Sequence, residues 1–193
     1  MDRAPRIVAF AGSLRRDSLN KKLVRVAAEG ARKAGGEVEL IDLKELALPL
    51  YDADDEAEHG LPEGARRFKR ALLASDGLLI ASPEYNSSVT AALKNALDWA
   101  SRAESTDEPP LAAFAGKTAA LMSASPGALG GLRGLVHLRA ILGNIKVIVL
   151  PEQKAVPQAH AAFDDAGELE DAKLRQTIEG LGARLVEVAS RLG

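Results

Sequence analysis

The sequence has no cysteine, which excludes disulfides, thiolate metal sites, iron–sulfur clusters and thiol catalysis. A disulfide-stapled secreted scaffold is therefore impossible. Nor is there an excess of one charge: 25 Lys plus Arg stand against 27 Asp plus Glu, a formal balance of −2 that favours neither nucleic acid nor an anionic membrane as partner. The opening MDRAPRIVAFAGS carries one short apolar run ending at Gly12, too short for a signal peptide or a membrane span, so a cytoplasmic location is the expectation. The three histidines, His59, His137 and His160, lack metal-ligand spacing, and no metal site is expected. No Ser/His/Asp set can be chosen from spacing. Internal repeats and low-complexity segments are absent.

What is present is a chain of 193 residues, 47% of them hydrophobic, which suits one domain over residues 1–193. Short apolar runs alternate with helical periodicity. Arg6 to Ala11 predicts a first strand, and Leu19 to Ala34 a helix with Leu23 and Val26 inward and Lys21, Lys22 and Arg25 outward. Gly35-Gly36 closes that helix, and Glu37 to Ile41 predicts a second strand. Between Asp42 and Gly60 the pattern is irregular; the run Asp52, Asp54, Asp55, Glu56, Glu58 lacks the spaced ligands of a calcium loop and reads as a solvated surface segment.

Pro62 suits the first turn of a helix reaching about Ser75, and Gly77 to Ala81 predicts a third strand ended by Ser82-Pro83. A helix follows from Val89, with Ser88 or Thr90 as its cap and Leu93, Leu97 and Ala100 on one stripe. Lys117 to Met122 predicts a fourth strand, Leu132 to Leu142 a helix closed by Gly143 or Asn144, and Ile145 to Leu150 a fifth strand ended by Pro151. The terminal pattern Leu174, Ile178, Leu181, Leu185, Val188, Leu192 fits either a coiled coil or a helix covering a sheet face. The alternation predicts an α/β fold, a doubly wound five-stranded parallel sheet with helices on both faces, and the order taken for it is the flavodoxin-like 2-1-3-4-5.

In that order the loops after strands one, three and four share one edge, flanking the switch point. The first, Gly12 to Asn20, offers the hydroxyls of Ser13 and Ser18, the Asn20 amide, the Arg15 guanidinium and free N–H groups at a helix start. Such a set suits a phosphate monoester, or else is a helix cap with incidental arginine. It is no dinucleotide fingerprint, having one glycine where three are needed, and no ATP-binding loop. Glu84, the one carboxylate in the loop after strand three, suits an orienting hydrogen-bond acceptor better than a general acid.

Together, GSLRRDSLN, SPEYNSSVTAALKNALDW and SPGALGGLR resemble the NADPH-dependent FMN reductase family of quinone, chromate and azo-compound reductases, over Arg6 to about Leu150. The resemblance implies an enzyme that passes hydride from NADPH through bound FMN to small acceptors such as quinones, azo compounds, chromate or free flavin. The alternative in the same fold is a non-catalytic electron carrier of flavodoxin type. By the same resemblance Ser13, Arg15, Ser18, Leu19 and Asn20 match the FMN phosphate loop. Pro83, Glu84, Tyr85 and Asn86 match the loop lining the isoalloxazine ring, and Ser125 with Gly127 its pyrimidine side. Backbone N–H groups near that ring would stabilise the charge of its reduced form. Arg102 matches a position near the active-site mouth and the subunit contact, and a homodimer or homotetramer is implied. Two residues depart from the pattern: Ser87 stands where relatives often have an aromatic residue or glycine, and Thr90 where many have proline.

Overall fold

In the computed structural model, which describes residues 3–192, five parallel strands form one sheet in the order β2-β1-β3-β4-β5. They are β1 (Arg6–Ala11), β2 (Glu37–Ile41), β3 (Gly77–Ala81), β4 (Thr118–Ala124) and β5 (Ile148–Val156). The inner strands β1, β3 and β4 are apolar nearly throughout, because helices cover both of their faces. Those helices are α1 (Leu19–Lys33), α2 (Ala53–His59), α3 (Glu63–Leu73), α4 (Ala91–Ala100), α5 (Leu132–Asn144) and α6 (Ala172–Leu192).

Alternation along each strand divides the core in two. Ile7, Ala9, Leu79 and Met122 pack toward α1 and α6, while Val8, Phe10, Leu78, Ile80 and Leu121 pack toward α3, α4 and α5. Phe10 meets Phe68 of α3 edge to face at 5.2 Å. The terminal heptad-like spacing belongs to a sheet-covering helix: Ile178, Leu181 and Leu185 of α6 are buried against α1 and the sheet. There α1 and α6 touch backbone to backbone. A Cβ on Gly30 would lie 2.0 Å from the Glu179 carbonyl oxygen, and one on Gly182 would lie 1.9 Å from that of Ala27.

Three expectations need correcting. The fifth strand neither starts at Ile145 nor stops at Pro151: β5 begins at Ile148, after the last turn of α5, and runs through Pro151 to Val156. Proline fits because β5 is an edge strand and its register against β4 shifts between Ala119 and Leu121, so the missing N–H interrupts no regular ladder. The acidic run is not irregular either. Asp52 caps α2 by accepting from the Asp54 N–H at 2.8 Å, and Asp54, Asp55 and Glu56 fill its first turn, where the helix dipole favours negative charge. Lys21, finally, faces inward: its Nζ lies 2.6 Å from Asp42 Oδ2 and its stem is buried beside β2.

Candidate functional site

The parallel sheet brings the loops after β1, β3 and β4 to one rim, on either side of the point where strand order reverses between β1 and β3. Two side chains hold those loops together. Thr90 caps α4, accepting from the Leu93 N–H at 3.1 Å, and donates its hydroxyl to the Gly12 carbonyl at 2.6 Å, which ties the third loop to the first. Asn20 does the same between the first loop and the end of β4. Its Nδ2 donates to the Ala124 carbonyl at 2.8 Å, and its Oδ1 accepts from the Ala124 N–H at 2.9 Å.

In the first loop, Ser13 and Ser18 are nearly buried and both act as acceptors, Ser13 Oγ from the Arg15 N–H and Ser18 Oγ from the Lys21 N–H as cap of α1. Each hydroxyl keeps its proton to donate. The amides of Leu19 and Asn20 are the first of α1, so the helix itself offers them no acceptor. Arg15 is exposed and makes no ion pair among the described residues. The set is almost wholly one of donors, as a phosphate dianion requires, and FMN's phosphate fits it. The Asn20 side chain is the exception: expected to face a phosphate, it is turned inward onto Ala124, and only its backbone N–H remains at the rim.

After β3 the chain makes a tight hairpin. Tyr85 and Ser88 pair as an antiparallel bridge, each N–H donating to the other's carbonyl at 3.0 and 3.1 Å. Between them Asn86 and Ser87 have φ of +50° and +66°, the successive left-handed residues of a type I′-like turn. The N–H groups of these two residues meet no acceptor among the described residues. Pro83 is buried, and Tyr85 stands out, 54% exposed.

Glu84 is fixed. One oxygen accepts from Arg133 Nε at 2.8 Å and the other from the Gly134 N–H at 3.1 Å, so it caps α5, which has no capping side chain of its own. Burial alone would raise its pKa, but the Gly134 N–H and then Arg133 outweigh that and hold the carboxyl below its ordinary value. It is an ionised acceptor, not a proton donor. Across the hairpin, Ser88 Oγ lies 2.9 Å from His137 Nδ1 of α5. Arg133 sits within the SPGALGGLR motif and His137 one turn further along α5, but only the fold shows what the two side chains face.

After β4, Ser125 and Gly127 lie on the rim, with no side chain near Gly127 closer than Ser125 Oγ. Their N–H groups are engaged within the chain, Ser125 with the Val156 carbonyl and Gly127 with Ser125 Oγ, each at 3.2 Å. The Ser125 hydroxyl and the turn amides of Asn86 and Ser87 remain available to a flavin, whereas the Ser125 and Gly127 amides do not. Arg102 lies apart from the three loops of its own chain. Because α4 starts at the rim and runs away from it at 1.5 Å per residue, Arg102 ends about 18 Å along the axis from Thr90, far from the mouth of its own chain's site. There its Nε meets Glu56 Oε2 at 2.8 Å and its guanidinium lies over Tyr51, beside a cavity of about 440 Å³ that Arg66 and Glu104 also line.

Residues 5–161 match the NADPH-dependent FMN reductase family. An NAD(P)H-dependent FMN reductase of Pseudomonas aeruginosa is 39% identical over 175 residues, 90% of this chain and 89% of that protein. A probable NADPH:quinone oxidoreductase of Oryza sativa subsp. japonica is 34% identical over 98% of this chain and 91% of its own length. Among solved structures, FerB, a flavoenzyme NAD(P)H:(acceptor) oxidoreductase from Paracoccus denitrificans, superposes with a TM-score of 0.80 at 31% identity, covering 98% of this chain and 99% of that one.

Proposed function

The chain belongs to the NADPH-dependent FMN reductase family, and from that premise we propose that its three-loop rim holds FMN and passes electrons from NAD(P)H to quinones. The observation that carries this reading is the convergence of a donor-rich phosphate loop, a rigid hairpin and the Ser125 turn on one switch point. When bound, FMN supplies the hydride chemistry that no side chain here possesses. The residues' part is to bind and orient. Ser13, Arg15, Ser18 and the first amides of α1 would hold the phosphate. Pro83 to Asn86 would lie along the ring, with the Asn86 and Ser87 amides as preorganised donors toward negative charge and the Ser125 hydroxyl on the opposite edge. Glu84, locked and ionised, is not a proton donor, so the proton that a quinone takes up along with hydride would come from water.

A homo-oligomer belongs to the same reading. Leu132 and Val136, one turn apart on α5, are 43% and 59% exposed, and Leu129 and Tyr85 extend the apolar surface toward the hairpin. A second copy of the chain suits this patch. Among the described residues no helix is long and apolar enough to cross a membrane. A consumer of NAD(P)H works where that nucleotide is regenerated, which favours the cytoplasm.

The deciding experiment is a flavin absorbance spectrum of the purified protein after adding FMN, followed by steady-state NADPH oxidation with a quinone. A yellow protein with quinone-dependent turnover is expected. Failure to take up FMN would sink the assignment.

A further inference from the structure

We infer that Glu84 is a positioning residue: through Arg133 and the first turn of α5 it holds the Tyr85–Ser88 hairpin in a strained conformation that the chain would otherwise leave. This rests on the functional reading above only for its consequence, since the hairpin borders the proposed acceptor side of the flavin; the mechanics stand without it.

Asn86 and Ser87 both have φ in the left-handed region, where asparagine is tolerated but serine meets its own Cβ; the residue at ease in the second position is glycine. A two-residue turn of this kind, closed by one pair of backbone hydrogen bonds, does not hold itself. Something outside it must, and two contacts do. On the entering side the Glu84 carboxylate, its side chain 7% exposed, bonds Arg133 and the Gly134 N–H. On the leaving side Ser88 Oγ meets His137 one turn further along the same helix. Both anchors are on α5, whose N-terminus has no acidic residue or side-chain cap of its own and so favours the Glu84 charge. Gly134 is small where this happens: a Cβ there would lie 3.4 Å from Glu84 Cβ and 3.2 Å from the Ser88 carbonyl oxygen. The hairpin is thus clamped to α5 at both ends and sprung in the middle.

Hydrogen exchange of the Tyr85 and Ser88 amides in flavin-free protein tests this directly, with the β3 amides as internal control. Glu84→Ala should speed exchange at Tyr85 and Ser88 by about tenfold or more while β3 is unchanged. Glu84→Gln, which keeps an acceptor for the Gly134 N–H but loses the ion pair, should fall between. The double change Glu84→Ala with Ser87→Gly should return exchange to within about threefold of wild type, because glycine removes the strain the clamp opposes. Were Glu84→Ala to prevent folding, His137→Ala removes the other anchor from an exposed position and should speed the same two amides. With FMN added, the visible flavin band should shift in Glu84→Ala and return in the double variant. Unchanged Tyr85 and Ser88 exchange in the anchor variants, or no rescue by Ser87→Gly, would overturn the inference. A protein that shows the exchange pattern but takes up no FMN would leave the clamp standing and remove the functional reading instead.

Discussion

Asn20 and Ala124 exchange two hydrogen bonds across the rim, Nδ2 to carbonyl at 2.8 Å and amide N–H to Oδ1 at 2.9 Å, although 104 residues separate them in sequence. The side chain mimics one more strand at the end of β4, where its neighbour β3 has already stopped at Ala81. Asn20→Ala would leave both backbone groups of Ala124 buried without partners, at about 1–3 kcal/mol each, so a loss of about 2–6 kcal/mol of stability is expected by urea unfolding. Asn20→Asp should be at least as damaging, because it sets a carboxylate against the Ala124 carbonyl. A loss below about 0.5 kcal/mol in both variants would show that water replaces the side chain there.

That contact marks where sequence reading reached its limit. Strands β1, β2 and β3 were legible because each is a short run of apolar or alternating residues between glycine, proline or a helix pattern; alternation with helices implied a doubly wound parallel sheet, and the order came only with the flavodoxin-like fold. The rim followed in turn. What each rim side chain faces did not, since Asn20, Glu84 and Thr90 are polar residues in polar loops whose partners lie tens of residues away. Pro151 misled because its meaning depends on whether a strand is at the edge. Lys21 misled because a long side chain can lie along an inner surface and still reach a carboxylate, here Asp42.

Two neighbouring glycines of α6 should respond in opposite ways. Gly180 has nothing within 4 Å of an added Cβ, so Gly180→Ala should stabilise by about 0.5–1 kcal/mol through helix propensity and the entropy of the unfolded chain. Gly182→Ala would drive a methyl group to 1.9 Å from the Ala27 carbonyl oxygen and force α6 away from α1, with an expected loss of about 3 kcal/mol or more. Thermal unfolding of the two variants checks the sign of each. If Gly182→Ala were neutral, the backbone contact between α1 and α6 would be wrong.

Acid should weaken the fold through a small set of carboxylates. For Asp76, Glu56 and Glu84 burial works upward on the pKa, but the hydrogen bonds from Arg3, Arg102 and the Gly134 N–H outweigh it, and all three titrate below their ordinary values. With the folded pKa below the unfolded one, the unfolded chain binds more protons in the interval between them. The stabilisation is therefore complete above the ordinary carboxylate range of about 4 and is lost as pH falls through the folded values. Urea midpoints should hold steady from about pH 7 to about pH 5 as far as these groups are concerned, then fall. The gap between wild type and Glu84→Gln should narrow over the same acid range, and a gap independent of pH would mean that Glu84 is not ionised in the fold.

Arg15 separates the phosphate reading of the first loop from the helix-cap reading. If the loop were only a cap for α1, Ser18 would already complete it by accepting from the Lys21 N–H, and Arg15, exposed and outside the helix, would matter to nothing. Arg15→Ala would then leave FMN affinity unchanged. If the loop holds the phosphate, removing one charge-assisted contact should weaken FMN by about 1.5–3 kcal/mol, roughly ten- to a hundredfold in Kd, with little change in thermal stability of the flavin-free protein. Arg15→Lys should recover only part of the loss, because an ammonium cannot make the paired, planar contact that a guanidinium makes with phosphate oxygens. The affinity should also fall as salt is raised in wild type and less steeply in Arg15→Ala, since an exposed cation is screened within about 10 Å at 0.1 M ionic strength. Fluorescence titration of FMN at two salt concentrations measures all of this, and equal affinities with equal salt slopes would remove Arg15 from the site.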